Sequence, residues 1–258
     1  PSFMGDVDYL LMESTYGGRF HSNAELMESE LITVIKEALE MKAKIIVPSF
    51  SVGRTQELIY ELTKLFDKNI IPEFPVFVDS PLTVNATEIF KLHPECFDIE
   101  TASYLANGVN IFGLDNVLYI KDVEESKKLN DLKGPCMIVS ASGMCEAGRI
   151  LHHLANNVDK PNAMILIIGF MAENTLGRRL IDFKDTPNAP IKIFGEEHRL
   201  KAKVRVLDAF SAHADQRELL EYVKQFNKTR LKDMSKFIAL EGIEGCGKTT
   251  LALFICEE

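Results

Sequence analysis

Residues 44–67, KIIVPSFSVGRTQELIYELTKLFD, decide the fold class. KIIVPSF is short and apolar, with Ile45, Ile46 and Val47 in succession, and reads as a strand buried on both faces. Gly53 to Asp67 then carries Leu58, Ile59, Leu62, Leu65 and Phe66 at the three- and four-residue spacing of an amphipathic helix. A buried strand running straight into a helix is the unit of a parallel sheet, because parallel neighbours need a crossover long enough to hold a helix.

The same alternation extends in both directions. DYLLMES (8–14), PVFVDSP (75–81), NVLYIKD (116–122), CMIVSAS (136–142), AMILIIGF (163–170), IKIFGE (191–196) and VRVLDAFSA (204–212) read as further strands. Ala24 to Met41, Val84 to His93, Ala147 to Asn157 and Gln216 to Phe226 read as helices. TASYLANGVNIFGLDN (101–116) is the stretch with least regular pattern. The expectation is an α/β fold: a parallel-rich sheet with helices on both faces. Ligands of such sheets meet the loops at the carboxyl ends of the strands. Here those ends carry Glu13, Ser14 and Thr15, then Ser49 and Ser51, Asp79 and Ser80, Ser140 to Gly143, and Ser211 to Asp215.

The bulk numbers limit the function. With 46% hydrophobic and 26% charged residues the chain is globular, and a net charge of −9 excludes a sequence-blind electrostatic grip on nucleic acid over the whole surface. Any polyanion contact must be local. Cys96, Cys136, Cys145, Cys246 and Cys256 show no CxxC pair, which argues against a disulfide framework or thiolate zinc and for reduced thiols in a cytoplasmic protein. No apolar run is long enough for a bilayer, so no membrane partner is expected. PSFMGDVDYLLMEST lacks the pattern of a signal peptide, and position 1 is not Met, which raises the expectation of sequence upstream.

Four constellations carry chemistry. In MESTYGGRFH, Glu13 stands at a strand end, where a carboxylate takes or orients a proton or else braces its loop. In LDAFSAHAD, His213 is placed for proton transfer near neutral pH, or Ser211, His213 and Asp215 together cap the helix that starts at Gln216. VSASGMCEAGRILHHL and PSFSVGRTQE each follow a strand with small residues and an arginine entering a helix. Ser49, Arg54, Ser142, Gly143 and Arg149 are the resulting candidates for gripping phosphates. His152 and His153 are adjacent, about 100° apart on a helix, so they are not a zinc pair; one should be packed and the other exposed. Finally GIEGCGKT fits the phosphate-loop pattern, with Gly242, Gly245, Gly247, Lys248 and Thr249 between the strand KFIAL and a helical TLALFI. Such a loop holds ATP with magnesium.

Taken in order, ESTYG, PSFSVGRTQEL, VDSPL, SASGM, HHL, NTLGRRL and FSAHAD resemble the β-CASP branch of metallo-β-lactamase-fold RNA nucleases, over about residues 5–233. The resemblance implies a lobe with two zinc ions and an inserted α/β lobe closing over it to form an RNA groove. It matches Glu13 and His213 to the pair that protonates the leaving oxygen, and adds Arg178 and Ser211 to the RNA-binding set. The HxHxDH zinc motif of the family does not occur in the sequence, so no metal ligand is assigned. The implied division is a metallo-β-lactamase remnant over 1–22, a β-CASP domain over 23–195, a return segment over 196–233 and a phosphate-loop piece over 234–258. MSKFIALEGIEGCGKTT in the last of these resembles the start of thymidylate kinase. The reading is therefore a zinc-dependent ribonuclease of the β-CASP type, lacking its zinc ligands and inactive alone. The alternatives are a nonenzymatic RNA-binding module and a nucleotide-binding kinase fragment. Single-stranded RNA is the implied partner, and a homodimer is admitted.

Overall fold

The computed structural model describes residues 10–18, 20, 24–113, 115–207, 210, 213–226, 238–240 and 251–253. The chain divides into two compact units, one from residues 1–23 and 211–258, the other from residues 24–210.

In the first unit, β1 (Leu11–Glu13) pairs antiparallel with a strand at Leu251–Leu253, which pairs antiparallel in turn with one at Ile238–Leu240. The strand expected in KFIAL is present at 238–240. The helix expected in TLALFI is not: Leu251–Leu253 is a strand, because pairing on both edges outweighs the helix propensity of Leu and Ala. Gly242, Gly245, Gly247, Lys248 and Thr249 lie outside the described residues, as does Ser211. The unit's helix, Gln216–Val223, starts where its sequence places it.

The second unit is built on a six-stranded parallel sheet. Its strands are β2 (Lys44–Pro48), β3 (Val76–Asp79), β4 (Val117–Ile120), β5 (Cys136–Ser140), β6 (Ala163–Ile167) and Lys203–Val206, in the order β4-β3-β5-β2-β6-(203–206). The period-two alternation of β2 shows why both faces are covered. Ile45 and Val47 pack with Leu31 and Ile35 of α1 (Ala24–Glu40) and with Leu58 and Leu62 of α2 (Arg54–Asp67). Ile46 points the other way, to Ile150 and Leu154 of a helix at Arg149–Asn157. All of these side chains are 0–1% exposed, and each contributes roughly 1.5–3 kcal/mol by burial.

Three departures from the sequence reading have local causes. α3 (Pro81–Leu92) begins three residues before Val84, since the Ser80 side chain accepts from the Thr83 amide and Pro81 takes the first turn. α4 (Ile99–Ala106) lies partly inside the stretch read as least regular, with Asp98 capping it through the Thr101 amide. IKIFGE does not extend the parallel sheet. Ala189–Ile193 pairs antiparallel with Glu196–Leu200, a strand too polar to be read from apolar content, and Phe194 and Gly195, with φ of 54° and 82°, make the two-residue turn.

Candidate functional site

The carboxyl ends of β3, β5 and β2 lie side by side in the middle of the sheet, which brings together three loops distant in sequence. At their centre Asp79 is fully buried. Its Oδ1 accepts from Arg149 Nη1 at 2.6 Å, and its Oδ2 accepts from Ser126 Oγ at 2.6 Å and meets His153 Nε2 at 2.6 Å. Burial alone would raise the Asp79 pKa; the hydrogen bonds from His153, Ser126 and Arg149 outweigh it and hold the carboxyl below its ordinary value. The Ser140 hydroxyl donates to the Asp79 carbonyl at 2.8 Å, and the Ser49 amide donates to the Ser140 carbonyl at 3.0 Å, so the loops are stitched to one another.

The described candidates for phosphate contact each have a definite place in the second unit. Ser49 is buried, and its hydroxyl accepts from Thr55 Oγ1 at 2.9 Å. Arg54 pairs with Glu57 and lies over the Phe210 ring. Ser142 Oγ accepts from the Glu146 and Ala147 amides at 3.1 and 3.2 Å, closing its own loop. Gly143 lies under the Phe50 ring, where a Cβ would approach ring atoms to 2.7 Å. Arg149 is shared between Asp79 and the Lys121 carbonyl, and Arg178 pairs with Asp182 at 2.8 Å. Every one of these arginines thus has a carboxylate partner. Of the adjacent histidines, His153 is buried and His152 exposed, as the helix geometry requires. Asp79 and His153 were legible as strand-end and helix residues, but their pairing was not, because 74 residues separate them.

The first unit holds Glu13 and His213 together. His213 Nδ1 lies 3.2 Å from Glu13 Oε2, and the Thr15 and Ala214 amides donate to the two carboxylate oxygens at 3.0 Å each. The side chains keep 23% and 43% of their surface exposed, so solvent reaches the pair. Burial would raise the Glu13 pKa, yet the Thr15 hydrogen bonds, the charge of His213 and the Ala214 amide together lower it. The Tyr16 ring lies 6.2 Å from the imidazole. Asp215, buried, caps the following helix by accepting from the Glu218 amide at 3.0 Å, while the Glu218 carboxylate accepts from the Asp215 amide. Asp215 is thus the residue that caps this helix, and His213 lies against Glu13. Glu13 likewise braces its loop while it holds the imidazole.

Two family descriptions match this chain. Residues 55–180 match the Beta-Casp domain, and residues 197–231 match the Zn-dependent metallo-hydrolase RNA specificity domain. The stretch matched by the Beta-Casp description contains β3, β4, β5 and β6 of the parallel sheet. Among curated proteins, Ribonuclease TTHA0252 of Thermus thermophilus is 31% identical over 95% of this chain and 57% of its own length. An RNase J-like protein of Methanocaldococcus jannaschii is 32% identical over 86% of the chain and 50% of its own length. The transcription termination factor FttA of Methanosarcina mazei is 30% identical over 85% of the chain and 35% of its own length. The chain spans between about a third and somewhat over half of these relatives.

The zinc named in the second description does not fit the described residues. Among them no three His, Cys, Asp or Glu side chains converge to hold a metal. No helix among the described residues is long and apolar enough to cross a membrane.

Proposed function

We propose that the chain is the RNA-binding and proton-transfer portion of a zinc-dependent ribonuclease of the β-CASP type, and that alone it binds single-stranded RNA without cleaving it. The observation that carries this reading is the Glu13–His213 pair, a solvent-reached imidazole held by an ionised carboxylate. A histidine held in this way is suited to hand a proton to the oxygen that departs when a phosphodiester breaks. With Nδ1 on Glu13, that delivery falls to Nε2. The ribonuclease and RNase J-like names of two relatives support RNA as the substrate class. The missing cleavage follows from the donor set, since neither an HxHxDH motif in the sequence nor a described cluster offers a metal site.

RNA would be gripped at the sheet rim through the serine- and glycine-rich loops and Arg54, Arg149 and Arg178, so a purely RNA-binding module is the first half of the same proposal. The nucleotide reading of Lys248 and Thr249 is not adopted, since a phosphate loop must open a helix and Leu251–Leu253 is a strand. The test is filter binding of single-stranded RNA to the 258-residue chain over a salt series, with the RNA afterwards resolved on a gel in the presence and absence of zinc. The expected result is affinity falling by about 0.7 log units per phosphate contact for each tenfold rise in salt, and intact RNA in every lane. Absence of RNA retention overturns the binding half, and zinc-dependent cleavage by this chain overturns the inactive half.

A further inference from the structure

Phe50 is the first residue after the Ser49 that follows β2, at the centre of the rim, and it is 44% exposed. Val52, two residues on, is 60% exposed. The Phe50 position is fixed from three directions. Its carbonyl accepts from Thr55 Oγ1 at 2.8 Å, and the neighbouring Ser49 amide is bound to the Ser140 carbonyl. Its ring edge, Cγ, Cδ2 and Cε2, rests on the backbone of Gly143 so closely that a Cβ there would stand 2.7–2.9 Å from these atoms. A glycine at 143 is therefore what allows an aromatic ring to be seated between the two loops while part of it stays in water. Holding a ring still and wet brings little to folding, since much of its apolar surface is not removed from solvent. It brings a great deal to a ligand with a flat π-face, because the cost of ordering the ring is met before the ligand arrives.

We infer that Phe50 is a stacking platform for one unpaired nucleobase of a bound RNA strand. The inference rests on the RNA reading above and deepens it. The rim arginines all have carboxylate partners, so the charged part of the grip is moderated, and a base on Phe50 supplies an attraction that salt does not screen. Stacking is tolerant of base identity because every base has a π-face, and it requires the base to be free of a duplex.

The chain has no tryptophan, so Phe50→Trp gives a single emitter at the platform. Binding of an oligouridylate and an oligoadenylate is measured for the unaltered chain, Phe50→Ala and Phe50→Tyr, with thermal unfolding of each as a control for folding. Phe50→Ala is expected to weaken single-stranded RNA binding on the order of tenfold with an unchanged salt slope, and Phe50→Tyr to restore it. Duplex RNA should bind the unaltered chain and Phe50→Ala alike. Emission from Phe50→Trp should be quenched by single strands, whereas emission from Ile99→Trp, at a site 90% exposed on α4, should not. If the unaltered chain binds single strands but Phe50→Ala binds equally and Phe50→Trp emission does not respond, the platform is refuted and the RNA reading stands. If the unaltered chain binds no RNA, the RNA reading falls and takes the platform with it.

Discussion

Asp79 with His153 and Glu13 with His213 are the same chemical pair in two settings. Each joins a carboxylate at a strand end to an imidazole far away in sequence, at 2.6 Å in the first and 3.2 Å in the second. In the six-stranded sheet the Asp79 and His153 side chains are 0% and 1% exposed, and Arg149 and Ser126 complete the carboxylate's shell. In the smaller unit the carboxylate and imidazole are 23% and 43% exposed, and backbone amides complete the shell. Burial separates the two roles. A pair sealed from water and matched to a guanidinium holds three loops in register, while a pair that water reaches can exchange protons with solvent.

The largest expected effect tests the buried side of this contrast. Asp79→Asn leaves Arg149 and His153 without their counter-charge, and urea unfolding should report a loss of about 3–5 kcal/mol. Should that variant not fold, Ser126→Ala removes one hydrogen bond to the same carboxylate and should cost about 1–3 kcal/mol. Asp215→Ala, which strips the cap of the helix after His213, should cost about 1 kcal/mol in the same measurement. The smallest shift belongs to Glu13→Gln, below about 1 kcal/mol, because the pair is open to solvent. Equal losses from Asp79→Asn and Glu13→Gln would erase the distinction between the two sites.

Acid sharpens the same comparison. Both carboxyls have folded pKa values below their ordinary ones, so each stabilises the fold above its unfolded pKa, about 3.9 for Asp and 4.3 for Glu, and the contribution disappears as pH falls through the lowered value. Stability should therefore decline below about pH 4. The decline should be shallower in Asp79→Asn and in Glu13→Gln than in the unaltered chain, as followed by urea midpoints across an acid series.

Much of this was legible in the chain because burial on both faces leaves a plain signature. Ile45, Ile46 and Val47 cannot alternate with polar residues when helices cover both sides, so the parallel sheet is written as solid apolar runs. Glu196–Leu200 was illegible for the converse reason: its side chains are mostly exposed, so nothing apolar marks it as a strand. Glu13 and His213 were found as residue types at strand ends, and their contact across 200 residues follows only from the fold. Arg54 and Arg149 were legible as cations entering helices, but Asp79 as the partner of Arg149 was not, since 70 residues separate the two.

The strand order has a consequence for how the protein comes into being. β2 and β3 are never neighbours; β5 lies between them, and Lys44 pairs with Cys136 across about half the unit's length. During synthesis the first strands must wait for residues 136–140 to leave the ribosome before any of the central loops can be tied together. Until then both edges of β2 and the edge of β3 that faces β5 are unpaired and open to wrong partners, so the nascent chain is at its most vulnerable just before the rim exists.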